Sequence, residues 1–462
     1  MKPTAQEPRQ EADQTVRVEV DTIRGRSSIR IGFTNQRLTA HGGMAVWSHM
    51  LTQMGARKRI REALPHEPTS PNAYDPADIA LGYVGGILAG ADKLSRVAWL
   101  RSDRAIAEVL GIEAMPSQST LSRFFGRFTA GANERVQGLY RWAFQHLPSR
   151  PEGYTLDMDS WALLHEDGHQ EGVAVGYTRK GVKPCQRPLV GALAEARMVL
   201  RYRLRSGNTG CVNGAAEFLE ECLASLPAQV RIGLVRADSG FGAASVMDAA
   251  ERHGVSYIFA KRMDALLKLQ CRHEDAAWQT TEVPGIEVQE LATPEVGRRI
   301  IVIRQRIRDR PNAGGRLLLD VPGYRFQALA TNLPLTVDPL NVWRRYNGRA
   351  DIENRIKELG SQFGIKGLCA HKFWATEAMH LLAILAYNLC VLLQRRLGQL
   401  DRCELNTLRW RLFTRAAVWS RAQGKAHLRL AVPRGKARLW WAAVLAKLTG
   451  PPNCNAVESF QA

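Results

Sequence analysis

The stretch Ile232-Gly-Leu-Val-Arg-Ala-Asp238 is a short, mostly apolar run closed by an acid. Its length and composition predict a buried strand. Residues 243–253 follow with helical periodicity, and 255–260 form a second short apolar run. Strand, helix and strand in succession predict an α/β core. Upstream, residues 154–159 and 198–205 alternate apolar and polar side chains, as strands do. Residues 213–226 predict a helix with Asn213 as its N-cap. Downstream, residues 263–335 break into short strand-like runs around Pro284-Gly285, Pro311-Asn-Ala-Gly-Gly315 and Pro322-Gly323, which predicts an all-β insertion. After Pro339 a helical pattern returns and continues to about Arg396.

Ahead of the core, residues 41–148 predict helices interrupted at Pro65, Pro71 and Pro76. Within them, 103–111 form a short amphipathic helix stopped by Gly111, and a second helix opens at Pro116-Ser-Gln-Ser-Thr-Leu-Ser-Arg123. This is the outline of a helix-turn-helix, although any small helical hairpin shares it. Its second helix would offer Ser117, Gln118, Ser119 and Arg123 to a DNA groove. The chain thus divides into a polar arm (1–40), a helical DNA-binding domain (41–148), a first core part (149–262), a β-rich insertion (263–335), a second core part (336–396) and a basic C-terminal region (397–462).

The chain has 462 residues, with 63 Lys and Arg against 44 Asp and Glu, a formal net charge of +19. So basic a balance points to a polyanionic partner. Ten Lys and Arg and no acid fall between Leu405 and Val457, interleaved with Trp410, Trp419, Trp440 and Trp441. That run suits phosphate contact, or a solvated basic face over a local tryptophan core. From Arg298 to Arg316 there are seven arginines and one Asp. Arg304, Arg306 and Arg308 share one strand parity there, which predicts an arginine edge facing DNA or an ordinary exposed strand. The eight cysteines form no C-x-x-C pair, which argues against a zinc cluster or a disulfide scaffold. The most apolar stretch, 378–393, is shorter than the ~20 residues of a membrane span and contains His380 and Asn388. A cytoplasmic protein is expected.

Several chemistries are excluded by absence of their motifs. There is no G-x-x-x-x-G-K for ATP, no H-E-x-x-H for zinc and no G-x-S-x-G nucleophile elbow. Three acids remain. Asp159 ends the first core strand and Asp238 the next, where α/β sheets gather their ligand sites, although either could simply cap a turn. In Tyr346-Asn-Gly-Arg349-Ala-Asp-Ile-Glu353-Asn-Arg-Ile-Lys357, the four numbered residues fall at steps of three, four and four. On one helix they form a single stripe. Phenol, guanidinium, carboxylate and ammonium suit a metal-and-phosphate surface, and equally a surface helix with a Glu353–Lys357 pair. Asp157 shares the strand face of Asp159; Asp159 is favoured as the ligand, with Asp157 as an accessory or structural acid.

These residues resemble a family. Y-x2-R-x3-E, met by Tyr346, Arg349 and Glu353, is the core of the Y-x2-R-x3-E-x6-K signature of bacterial insertion-sequence transposases, DDE enzymes with an RNase-H-like catalytic fold. Asp159-Ser160 looks like the family's first catalytic aspartate and Asp238 like the second, 79 residues further on, with 115 more to Glu353. Gln170-Glu-Gly172 with Gly176-Tyr177, and Leu38-Thr-Ala-His-Gly-Gly43, look familiar from one subgroup. The resemblance covers roughly residues 35–395. It implies an RNase-H-like mixed sheet flanked by helices. It further implies Asp159, Asp238 and Glu353 as ligands of two Mg2+ ions, with Mn2+ as a substitute, and Tyr346 and Arg349 as phosphate grips. The reaction would be ATP-independent cleavage at inverted-repeat ends of double-stranded DNA and strand transfer into target DNA by a homodimer. The rivals are an inactive DNA-binding regulator and a nuclease that cuts without joining. One position departs from the signature, since its lysine falls on Gly360. Either that contact is lost, or Lys357 covers it, or a residue such as Lys366 that sequence alone does not position.

Overall fold

The computed structural model describes residues 18–449, apart from 22–27, 66–67, 69, 71–72, 166–167, 179, 273–276, 292–296, 319–320, 399 and 401. Most of the polar arm, Cys454 and the end of the basic tail therefore lie outside the described residues. The core strands are β1 (Tyr154–Ser160), β2 (Leu163–Leu164), β3 (Ala174–Thr178), β4 (Gly181–Gln186), β5 (Leu189–Leu193), β6 (Met198–Arg203), β7 (Ile232–Ala237) and β8 (Ser256–Lys261). They continue through β9 (Gln279–Thr280), β10 (Ile286–Leu291), β11 (Arg299–Arg306), β12 (Arg316–Leu317) and β13 (Tyr324–Thr331). The main helices around them are α1 (Ala215–Ala224), α2 (Ala244–Arg252), α3 (Pro339–Asn347), α4 (Ala350–Ser361) and α5 (Phe373–Leu397).

One ten-stranded mixed sheet runs β9-β10-β11-β13-β8-β7-β1-β5-β6, with β12 beside β13. β1, β5 and β6 form an antiparallel meander, and β7 and β8 run parallel to β1. This large mixed sheet flanked by helices matches the RNase-H-like arrangement that the family resemblance implied. Segment 263–335 does not stand apart as an all-β insertion. Its strands extend the core sheet through β13, which pairs with β8, and the segment also carries the helix Ala265–Arg272. Pairing partners so distant in sequence leave no local signature.

The buried helix α5 organises the other side. It is the one described helix long and apolar enough to cross a membrane, and its apolar window is entirely buried within the fold. Its few polar groups close the exposed edge of β6. Asn388 accepts from Val199 N at 2.9 Å and donates to Val199 O at 2.8 Å, and Glu377 accepts from Leu204 N at 2.8 Å. These side chains satisfy backbone groups that an open edge would leave unpaired. The N-terminal helices pack on the same helix: Tyr83 and Tyr140 donate to Met379 O and Leu381 O at 3.1 and 2.7 Å. Residues 41–148 thus share the main hydrophobic core. So does the tail, where Leu405, Leu412, Phe413, Trp441 and Leu448 are buried. Arg409 donates to Leu88 O and Ile87 O, at 2.8 and 3.1 Å. The seven cysteines among the described residues are free thiols.

Candidate active site

β1 and β7 are parallel neighbours, with Arg236 opposite Asp157 and Ala237 opposite Met158. Asp159 and Asp238 therefore emerge side by side at the carboxyl ends of two adjacent strands. Because side chains alternate along a strand, Asp157, Asp159, Arg236 and Asp238 all face the same way. Helices α3 and α4 cover that face. α3 starts at Asp338-Pro339, where the Asp side chain accepts from Leu340 N at 2.9 Å and Pro occupies the first helical position.

The expected single helical stripe is interrupted. α3 stops at Asn347, and α4 begins at Ala350 after a tight turn through Gly348 and Arg349. Arg236 explains the break. It lies beneath the turn, donating from Nη1 to Arg345 O at 2.5 Å, and a Cβ at Gly348 would collide with that same nitrogen. Arg236 also holds Asp157 in a two-pronged pair, Nε–Oδ1 2.7 Å and Nη2–Oδ2 2.8 Å, both side chains buried. Asp157 is thereby committed to an internal partner. That pair was legible in part, since Arg236 shares strand parity with Asp238.

Arg349 sits between the remaining acids. Its Nη2 is 2.9 Å from Asp159 Oδ2 and its Nη1 3.8 Å from Glu353 Oε1, while its buried Nε has no hydrogen-bond partner among the described residues. Asp159 also accepts from Ser160 N at 2.7 Å. Burial pushes the Asp159 carboxyl up to about 6; Arg349 opposes that shift, and Asp238 and Glu353 reinforce it. Asp157 is likewise raised to about 6 by burial, against its pairing with Arg236. Burial raises the Tyr346 phenol, with Asp238, Asp159 and Glu353 adding to the effect and Arg349 countering it. These mutual influences place the three acids, Tyr346 and Arg349 in one electrostatic neighbourhood. Tyr346 is largely buried with Trp343 and Leu340 in a small core against the sheet.

The donor set suits a hard divalent cation, since all three groups are carboxylates and Asp238 and Glu353 keep solvent exposure. Among the described residues no three such groups are gathered closely enough to ligate one ion. Arg349 supplies the positive charge beside Asp159 in this arrangement. Asp159, Asp238 and Glu353 fit a metal in kind, and the Arg349–Asp159 pair would have to open for Asp159 to take part.

Around the acids lie residues the sequence did not single out. Cys211 Sγ is 3.2 Å from Ser160 Oγ, and Gly240, whose N–H bonds Asp238 Oδ1 at 2.8 Å, leaves room for both. The loop carrying Cys211 is held by Arg205, which donates to Gly210 O and Asn213 O at 3.0 and 2.7 Å. Asn213 is not the N-cap of α1; Gly214, at φ 72°, takes that place. On α4, Lys357 is exposed. Lys366 returns after the turn so that its stem crosses Gly360: a Cβ there would lie 2.9 Å from Lys366 Cε, and Lys366 N donates to Gly360 O at 3.2 Å.

The predicted DNA-facing residues divide. Gln118 and Arg123 are exposed on the helix Gln118–Phe125, which Ser117 caps by accepting from Thr120 N at 3.1 Å. Arg304 instead pairs with Glu287 and is sandwiched between Trp278 and Tyr324, 4.2 and 4.7 Å from their ring centres. Arg306 pairs with Glu287 and Asp309 at 3.3 Å. The arginine edge is thus mostly engaged internally; Arg308, in the turn beyond β11, is exposed.

A family model described as transposase DDE domain, group 1, matches residues 21–449. No curated protein matches the chain. Among solved structures, piggyBac transposase in a synaptic complex with hairpin DNA is similar at a TM-score of 0.41 and 10% identity, over 82% of this chain and 83% of that one.

Proposed function

The chain belongs to the transposase DDE domain family, group 1, and from that premise we propose that it cuts DNA at the inverted-repeat ends of an insertion sequence and joins them to target DNA. Asp159, Asp238 and Glu353 would hold Mg2+, or Mn2+ in its place. Such ions activate the attacking oxygen and stabilise the leaving one. The observation that carries the proposal is the meeting of Asp159 and Asp238 at adjacent strand ends, with Arg349 spanning from Asp159 to Glu353 on the helix above.

Both steps are in-line displacements. In cleavage a water oxygen bonds to phosphorus as the bond to the 3′ oxygen breaks, and that oxygen leaves as a hydroxyl. In joining, this 3′ hydroxyl attacks a target phosphodiester and expels a target oxygen. One P–O bond forms for each that breaks, so no nucleotide hydrolysis is required, in keeping with a sequence that carries no ATP motif. The chain's residues position the reactants. The Asp157–Arg236 pair fixes the turn that presents Arg349. Arg349 holds Asp159 oriented and offers its fork to a phosphate once displaced. Lys357, Lys366 and the exposed Gln118 and Arg123 bind backbone phosphates, as do exposed basic residues of the tail. Joining two ends calls for a homodimer on DNA.

The test supplies short duplexes copied from the DNA flanking the reading frame, a supercoiled plasmid and Mg2+. Joined duplex–plasmid product is expected. Cut ends without joining would assign a nuclease, and binding without cutting a regulator.

A further inference from the structure

Between β1 and β5 the chain leaves the core sheet and builds a small three-stranded sheet, β2-β4-β3, directly after Ser160. One side of its β3–β4 hairpin is fixed by close backbone packing. A Cβ on Gly176 would collide with Gly207 O, and one on Gly207 with Ala174 O and Cys185 O. Glu171 ties the base of the hairpin to the start of α5, accepting from Phe373 N at 2.9 Å and donating from its own N to His371 O at 2.8 Å. The other side is open. Tyr177 pairs across with Val182 and Val175 with Pro184, so all four share that face. Val175, Tyr177 and Val182 are 61%, 74% and 69% exposed. A rigid hairpin face this apolar and this uncovered marks an interaction site.

The occupant follows from charge and position. From Gly172 to Ala194 the sequence holds Arg179, Lys180, Lys183 and Arg187 and not one acid. Arg187 donates from Nη2 to Tyr177 O, and its Nη1 lies 4.0 Å from Cys211 Sγ, which in turn touches Ser160. The apolar face therefore stands within a few side chains of Asp159. We propose that the β3–β4 hairpin is a nucleobase-binding element: Tyr177, flanked by Val175 and Val182, stacks on an unpaired base at the end of the substrate duplex, while Lys180 in the hairpin turn meets its phosphates. This rests on the DNA-end reading above and adds to it a surface that handles bases.

The probes are two 20-bp duplexes of one arbitrary sequence, one blunt and one with four unpaired terminal nucleotides including 2-aminopurine. Sequence-independent stacking makes an arbitrary probe adequate. The full-length protein should bind the frayed duplex more tightly and quench the 2-aminopurine. Tyr177→Ala should lose that preference, about 5- to 150-fold for one stacked base, and leave the fluorescence unquenched. Tyr177→Trp should keep both, and Lys180→Gln should weaken both duplexes alike. Equal behaviour of Tyr177→Ala and wild type on the two probes would overturn the hairpin assignment while leaving the DNA reading intact. Failure of the wild type to bind either duplex would overturn both. A DNA-free dimer that Tyr177→Ala converts to monomer would make the face a protein interface and overturn the proposal.

Discussion

Gly360 stands where the signature's lysine belongs, and the Lys366 stem crosses it, its Cγ and Cδ 3.3 and 3.4 Å from where a Cβ at 360 would sit. Along α4, position 360 lies seven residues beyond Glu353, roughly 10 Å, and Lys357 only about 6 Å. We expect Lys366 to deliver its ammonium to the phosphate that a lysine at 360 would reach. One phosphate neutralised on duplex DNA adds about 0.9 to the slope of log K against log salt. Lys366→Ala should flatten the slope by that amount, so that over a fourfold rise in salt the variant loses about 3.5-fold less affinity than wild type. Lys366→Ala with Gly360→Lys should restore the slope. Gly360 is the penultimate residue of α4, and the three atoms nearest a Cβ placed there all belong to the Lys366 stem, which the first substitution removes. The assay is fluorescence anisotropy on a short duplex between about 50 and 200 mM salt. A Lys366→Ala slope equal to wild type, with a flattened Lys357→Ala slope, would refute the reasoning and give the contact to Lys357.

Three further outcomes follow from the geometry. Arg236→Met strands Asp157 in the core and should cost ~3–5 kcal/mol in urea denaturation, less whatever Asp157 recovers by taking a proton; a loss under ~1 kcal/mol would mean the pair holds nothing. Burial lowers His380 to about 4, its Nε2 bonding Leu368 O at 2.8 Å and its Nδ1 the Tyr202 hydroxyl at 2.7 Å. The unfolded chain binds that proton more readily, so this contribution is present above about pH 6.5 and lost as pH falls toward 4, and melting curves of His380→Gln should lack that part of the acid sensitivity. Because the tail is built into the core, its charge is best tested by Arg421→Gln, Lys425→Gln and Arg429→Gln together. All three side chains are exposed, so the salt slope should fall while the melting temperature holds.

The core strands were legible because burial and, for β1 and β7, an acid at the end are local signals: β1, β7 and β8 match the predicted runs to within about a residue at each end. What depended on partners was not. Arg304 looked like a free basic edge because Glu287 and Tyr324 reach it from neighbouring strands, and Trp278 from just before β9, in a register no window reveals. The 346–357 stripe looked continuous because nothing in it announces that Arg236, more than a hundred residues earlier, needs the space at Gly348. Asn213 looked like a cap by residue type, whereas the backbone conformation selected Gly214. Lys366 was visible as a charge and became meaningful only when the turn folded it over Gly360.

On the proposed reading, Asp159, Asp238 and Glu353 form one metal-dependent centre for DNA cleavage. Its most direct measurement is cleavage of a duplex copied from the flanking DNA, in Mg2+, by wild type and by Asp159→Ala, Asp238→Ala and Glu353→Ala, with binding of the same duplex measured in Ca2+. Each variant should bind within a few-fold of wild type, because Lys and Arg contacts to phosphate dominate affinity, and none should cleave. Wild-type cleavage by any one of the three would contradict the account.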